Sequence, residues 1–379
     1  MRFILASSNR YPTEKAYGVS FQNTAKTLRD LGYPVEIYSP SFHGKDWSGT
    51  EVLRLAQRSY GLLHSKKFFL RGFRRMMFYL VELVFSTATT LRVQRMKDPV
   101  IIWTRSTILC AIASKFVTDA NVKIVLEIHD TKSRVNFFLR FVRNDYRVSV
   151  FTPLYSQARF LEDKFALSQV VAVGNAAPAD YFGEKCSNST NMRIGYIGKL
   201  ESSGHSNNIG ALLNLATLIH RNQLNIEVEL VGISSIEILK LIGQSALDAL
   251  PPNLTFVEHV SHDEIRNHLS RFKIGVVPYP DSAYHNERFP IKVVEYAAMG
   301  IPMIICNSNY LDSVIPGDFV YLSEPTADSI YETVLEIVNF PKLATYKSEH
   351  ARKWSEDFTY ISRTRKILTQ IGAISDESF

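Results

Sequence analysis

The chain is poor in cysteine, in long apolar runs and in the residues that mark fibrous or disordered sequences. Its 379 residues include three cysteines, Cys110, Cys186 and Cys306. They are odd in number, scattered and without metal-ligand spacing, so neither a disulfide framework nor a zinc site is expected. Glycine (18) and proline (15) are too few for a fibrous or low-complexity chain. No apolar run approaches the roughly 20 residues that a spanning helix needs. The best stretch, 76–81, lies between Arg75 and Glu82. The apolar start at 1–6 turns polar at Ser7, too soon for a signal peptide. No G-x-G-x-x-G follows a strand, which argues against a dinucleotide-dependent dehydrogenase. No Asp-x-Asp pattern suggests a metal, and no nucleic-acid recognition motif is present. A reducing, cytoplasmic location is the expectation.

What is there is an ordinary globular composition, 46% hydrophobic and 21% charged. The length suits two domains. Charge divides them. Residues 1–185 hold 27 Lys and Arg against 15 Asp and Glu, and residues 186–379 hold 16 against 22. A basic half joined to an acidic half implies two bodies with different partners. For the basic half the candidates are an anionic substrate, a membrane surface or nucleic acid, or no partner beyond solvent.

Short apolar runs alternate with helical periodicity. Strands are expected at 2–6, 35–38, 100–103, 123–128 and 147–152, and a helix at 18–31 stopped by Gly32-Tyr33-Pro34. The alternation then restarts. Strands at 192–197, 226–231, 254–257, 274–277 and 303–306 interleave with helices at 208–220, 236–247, 262–271, 292–299 and 327–339. The polar run in 180–192 reads as the linker. The expected architecture is α/β: two doubly wound, Rossmann-like domains facing a central cleft, spanning 1–185 and 186–355.

The segment 278–306 reads PYPDSAYHNERFPIKVVEYAAMGIPMIIC. Glu287 and Glu295 are separated by seven residues, with Phe289-Pro290-Ile291 between them and Gly300-Ile301-Pro302 after them. Here the chain resembles the retaining glycosyltransferases of family 4, glycosyl transferases group 1, which have the GT-B fold. The resemblance implies that Glu295 binds the ribose of a nucleotide-sugar donor and that Glu287 lies near the transferred sugar. Pro290 suits a helix start. That helix N-terminus, with Phe289, Pro290 and Ile291, would meet the donor diphosphate. Arg288 stands where the family often has glycine, so it either narrows the sugar pocket or contacts a phosphate or an acidic acceptor.

Other segments follow the family in order. Strand 194–198 leads to Lys199, the expected diphosphate ligand, which binds as a point charge. The family's second phosphate-binding lysine is missing, and His205 or the next helix start is expected to substitute. Gly18 ends a loop that the family makes glycine-rich. It serves either the donor phosphates or a tight turn before a core helix. His129, in Leu126-Glu127-Ile128-His129-Asp130, is assigned to the donor sugar or its leaving phosphate. Arg105, after the strand at 100–103, meets donor or acceptor, or is a surface arginine. Asn175 reads as structural. Residues 354–361 resemble the closing helix, and 356–379 is expected to cross back to the first domain.

The implied activity is retaining, metal-independent and cofactor-free transfer of a sugar from a nucleotide-sugar donor to a glycan or lipid-linked acceptor, with no nucleic-acid partner. Two rival readings stand: a GT-B nucleotide-sugar epimerase, and a membrane-surface binding protein with a degenerate GT-B fold. In the stretch 64–97, Lys67, Arg71, Arg74 and Arg75 recur at helical spacing beside aromatic and aliphatic residues, with Glu82 further along the same side. This fits a peripheral contact with an anionic membrane on the inner face of the cell. It fits equally an ordinary domain helix.

Overall fold

The computed structural model describes residues 1–7, 16–39, 71–131, 134–183, 191–202, 204–258, 260–306 and 315–375, with 16, 71–78, 134–135, 246 and 262–263 described by the backbone alone. The chain divides into two units: Met1–Val173 with Thr364–Phe379, and Gly174–Arg363.

The first unit runs β1 (Arg2–Ala6), α1 (Ala16–Asp30), β2 (Val35–Tyr38), α2 (Arg71–Gln94), β3 (Val100–Thr104), α3 (Thr107–Phe116), β4 (Val122–Glu127), β5 (Val148–Thr152), α4 (Tyr155–Phe165) and β6 (Val170–Ala172). A 3-10 segment, Arg134–Phe141, precedes β5. The six strands are parallel in the order β2-β1-β3-β4-β5-β6. Every residue of β3, Val-Ile-Ile-Trp-Thr, is buried. A continuous apolar strand of this kind needs helices on both sheet faces. Ser106 starts α3: its Oγ accepts the Leu109 N–H and donates to the buried carboxylate of Glu82 on α2. Glu82 therefore faces the core and does not extend the basic stripe read from the sequence. Desolvating a lone carboxylate on that stripe would cost more than bonding it to a cap.

The second unit runs β7 (Met192–Ile197), a small antiparallel hairpin β8 (Glu201–Ser202) and β9 (His205–Ser206), α5 (Ile209–Arg221), β10 (Ile226–Val231), α6 (Ser235–Ile242), α7 (Gln244–Asp248), β11 (Leu254–Val257), α8 (His262–Leu269), β12 (Ile274–Val277), α9 (Ala283–Asn286), α10 (Ile291–Ala298), β13 (Met303–Cys306), β14 (Tyr321–Ser323), α11 (Ala327–Asn339) and α12 (Pro341–Ser355). Its main sheet is also parallel, β11-β10-β7-β12-β13-β14. The helix expected over 236–247 is two helices, because Gly243 turns the chain at φ +81. The closing segment 354–361 is likewise interrupted. α12 ends at Ser355, a 3-10 turn spans Glu356–Phe358, and α13 (Tyr360–Gln370) begins after Thr359.

The units divide ahead of the 180–192 segment because the chain after Gly174 is held by the second unit. Ala177 bridges to Thr359, and Asn175 Nδ2 donates to the Phe289 carbonyl. At its far end α13 contributes Ile367 and Leu368 to the first unit's core, beside Phe3, Leu5 and Leu28.

Strand order fixes where each sheet can receive a ligand. In the first sheet the winding direction reverses between β1 and β3, and in the second between β7 and β12. The crevice beyond the carboxyl ends of such a strand pair is where doubly wound sheets bind ligands. One bare position and one hydrogen bond hold α10 against that part of the second sheet. A side chain at Gly275 on β12 would strike the Tyr296 ring at 2.6 Å. The Tyr296 hydroxyl in turn accepts the Ile197 N–H on β7 at 3.2 Å.

Candidate functional site

One strand beyond the switch point of the first sheet, Glu127 ends β4 with 2% of its surface exposed. Its carboxylate accepts from Trp103 Nε1 at 2.6 Å and Arg105 Nη2 at 3.1 Å, and lies 3.1 Å from His129 Nε2. Arg105 also donates to the Ser20 hydroxyl on α1, at 2.8 Å. Two expected residues, Arg105 and His129, thus share one buried anion. Gly18, buried in the first turn of α1, lies two residues from the serine that completes the cluster. Both Arg105 and His129 keep partly accessible side chains, 21% and 32%. Glu127 is the residue that sequence reading passed over. Its signal was spacing: in an extended chain Glu127 and His129 point the same way.

In the second unit, α10 starts at Pro290, whose φ of −65 is the one proline imposes and whose ring supplies no capping oxygen. The first N–H groups of the helix have no intrahelical acceptor and carry its positive end. Residues 292–298 are all buried. Two of them are charged, Lys292 and Glu295, one turn apart on the same face. Burial pushes the Glu295 carboxyl up and the Lys292 amine down, each opposed by the charge of the other. Among the described residues the Glu295 side chain has no hydrogen-bond partner, and Lys292 Nζ has none. Tyr181, buried beside them, keeps its proton through burial and the Glu295 charge.

The loop before α10 is built on rings. Tyr284 on α9 stacks on His205 of β9 at 4.0 Å, and the Arg288 guanidinium lies 4.0 Å from the same ring centroid. Two groups that close must take opposite faces, so Tyr284 is sandwiched between them. His285 stacks on Tyr279 at 4.5 Å, and its Nε2 lies 3.0 Å from the Ser206 carbonyl. Burial lowers the His285 pKa, so it acts as a neutral donor there. These contacts tie the β8–β9 hairpin to the loop carrying Glu287 and Arg288. Arg288 therefore has a resting place on Tyr284. Glu287 caps the end of α9 and is partly exposed. Phe289 is buried edge-on to Phe358. Ile291 is the first residue of α10. Lys199, just after β7, is exposed beyond the same carboxyl edge.

The second unit's expected residues gather around the β7/β12 switch point, and Gly18, Arg105 and His129 gather on the first unit. The chain from Pro12 to the start of α1 lies outside the described residues, as does Lys67. Of Arg71, Arg74 and Arg75 only the backbone is described. Lys292, Tyr279 and Tyr284 were missed in the sequence. A lysine inside the apolar run Pro-Ile-Lys-Val-Val-Glu, three residues before a glutamate, was the available sign. Among the described residues no cluster of His, Cys, Asp and Glu is placed to hold a metal ion.

Residues 191–339 match the family described as Glycosyl transferases group 1. The second unit carries a group 1 glycosyltransferase domain. No curated protein matches the sequence. Among solved structures, sucrose-phosphate synthase from Thermosynechococcus elongatus superposes with a TM-score of 0.72 at 14% identity, covering 100% of both chains. A glycosyltransferase from Rickettsia africae gives 0.66 at 15% identity, again over 100% of both chains. HepE of Anabaena, solved with UDP-glucose, gives 0.63 at 14% identity over 99% of this chain and 100% of its own. At such identities the likeness establishes the fold, which is GT-B in kind: two Rossmann-like domains, each with a parallel sheet.

Proposed function

We propose that the chain is a retaining glycosyltransferase that moves a sugar from a nucleotide-sugar donor to a hydroxyl of a glycan or lipid-linked acceptor, without a metal. The observation that carries this reading is Glu295. It is a carboxylate on a residue with 4% of its surface exposed, whose side chain has no hydrogen bond among the described residues, beside the second sheet's switch point and within the family match. A carboxylate that meets no donor of the described residues is open to the hydroxyls of a ligand. Ribose hydroxyls are neutral donors suited to that role. Lys199 and the N–H groups at the start of α10 then stabilise the departing diphosphate, and Arg288 reaches it by swinging off Tyr284. His129, oriented by Glu127, meets the sugar or the leaving phosphate, and Glu287 meets the sugar. Retention follows from attack on the face that the leaving group vacates.

Calorimetry of the full chain against nucleotide sugars and nucleoside diphosphates tests the binding half, with UDP-glucose as the first probe because HepE was solved with it. The transfer half is read by NMR of the product's anomeric centre. A chain that binds no nucleotide sugar, or an inverted product, overturns the reading.

A second reading concerns the first unit. No helix among the described residues is long and apolar enough to cross a membrane. On α2, however, Leu80, Leu83, Val84 and Leu91 form an exposed apolar stripe, and in the separate segment Arg134–Phe141 both Phe137 and Phe141 are exposed beside Arg140. We infer that the α2 stripe, with the basic residues that precede it in sequence, rests on an anionic leaflet, where a lipid-linked acceptor lies. Replacing Lys67, Arg71, Arg74 and Arg75 together by Gln should abolish co-sedimentation with anionic vesicles. Unchanged co-sedimentation of the folded variant assigns the stripe to solvent.

A further inference from the structure

Lys292 has no role in the assignments above, yet its position is unusual. The residue is 6% exposed and Nζ has no hydrogen-bond partner. The amine lies 3.9 Å from the Tyr196 ring centroid on β7 and 4.8 Å from that of Tyr279, just after β12. β7 and β12 are the strands between which the second sheet reverses its winding. The amine therefore stands at the base of the switch-point crevice. On the β7 side the residue against it is Gly198, where a side chain would press on Nζ at 2.8 Å and on the Tyr196 hydroxyl at 2.7 Å.

Three effects act against a positive charge at this place. Burial strips its water. Lys292 is the second residue of α10, beside the positive end of that helix. Among the described residues no carbonyl or carboxylate accepts from it. Two aromatic faces and the nearby Glu295 charge are its compensation. An anion arriving over Gly198 would relieve all three at once, giving the amine an acceptor and the helix end its counter-charge. The groups facing the amine from each neighbouring element are Glu295 on α10, Tyr196 on β7, Tyr279 after β12 and His285 on α9. None of the other three supplies an anion. Burial holds both tyrosines protonated and His285 neutral.

We propose that Lys292 is a buried cationic anchor for the diphosphate of the nucleotide ligand, and that it takes up a proton when that diphosphate arrives. This rests on the nucleotide-sugar reading of the same site. Burial lowers the amine's pKa from 10.5 to about 7, so near pH 8 the free protein holds it mostly neutral. A bound anion stabilises the charged form and draws a proton from solvent.

Calorimetry on the full chain with UDP, GDP and ADP, and with uridine, guanosine and adenosine, separates the terms. For whichever diphosphate the wild type prefers, Lys292→Met should weaken binding about 10–150-fold. The matching nucleoside should bind the variant as it binds the wild type. Wild-type diphosphate affinity in a folded Lys292→Met overturns the anchor and leaves the nucleotide reading standing. Absence of binding by the wild type to every nucleotide and nucleoside overturns both. The second measurement needs no variant. At pH 8, titrations in two buffers of different ionisation enthalpy should show diphosphate binding taking up close to one proton, beyond any exchange seen with the nucleoside. Equal proton exchange for diphosphate and nucleoside overturns the proposal.

Discussion

At the carboxyl edge of the first sheet, Glu127 collects Trp103, Arg105 and His129 around one buried carboxylate. At the corresponding edge of the second sheet, Lys292 and Glu295 are buried on one helix face and neither has a hydrogen-bond partner among the described residues. One cluster is satisfied by the protein itself. The other is a pair of charges kept apart from acceptors and donors. A satisfied cluster fixes side chains in place, as a surface that must present Arg105 and His129 in one geometry requires. An unsatisfied pair costs stability and persists where a ligand completes it. Each unit has placed its charged groups at or beside its switch point, but only the second leaves them without hydrogen bonds among the described residues.

The sharpest way to break this comparison is to delete the central charge of each cluster. Glu127→Ala should destabilise the first unit by about 3–5 kcal/mol, because it strands the partly buried Arg105 guanidinium. The Lys292→Met, Glu295→Gln double variant should instead gain about 1–4 kcal/mol, because it exchanges buried charge for neutral groups of similar shape. Denaturant titrations of the two variants against wild type measure both. Shifts of the same sign would erase the distinction between the clusters.

Next in size are the ligand effects. Glu295→Ala should cost about 10–150-fold in nucleoside diphosphate affinity. Glu287→Ala should lower turnover and leave that affinity nearly intact, since Glu287 faces the transferred sugar. The reverse order in calorimetry and initial-rate assays would move the ribose site away from α10.

A smaller effect sharpens the comparison through pH. Glu295, raised from 4.5 to about 7, binds more protons folded than unfolded in that interval, so its contribution to stability fades as pH rises through it. Lys292, lowered from 10.5 to about 7, binds fewer protons folded than unfolded above 7, so stability recovers as pH rises further. Thermal melts should therefore show a shallow minimum near neutrality in the wild type, of about 2–4 °C for each kcal/mol involved. The double variant should lack it. A minimum that survives in the double variant belongs to other groups.

Much of the fold was legible because parallel strands covered on both faces are continuous apolar runs, as in 100–104 and 303–306. The short edge strands β6 and β14 and the β8–β9 hairpin were not. At two or three residues, their pattern carries too little periodicity to read. The site divides the same way. Glu287, Glu295 and Pro290 stand out as a local motif. Glu127's role depends on β3 and β4 lying side by side, with Trp103 and Arg105 reaching across from one to the other. Lys292 looks from its neighbours like an error in an apolar stripe. Only Gly198, brought over it by a distant strand, shows why the stripe is broken there. Gly243 was visible, but its power to split a helix depended on a left-handed turn that composition does not specify.

The position of Ile367, Leu368 and Ile371 has a consequence for how the protein is made. They lie in the core formed by Phe3, Leu5, Phe21 and Leu28, which emerge from the ribosome long before them. Between these two groups the whole of Gly174–Arg363 must be synthesised. At about 5–20 residues per second that is a wait of roughly 10–40 s. Throughout it, the nascent first unit carries an apolar groove whose filling has not yet been translated. The second unit, contiguous in the chain, has no such debt. The first unit starts ahead of the second, and the second is complete before it.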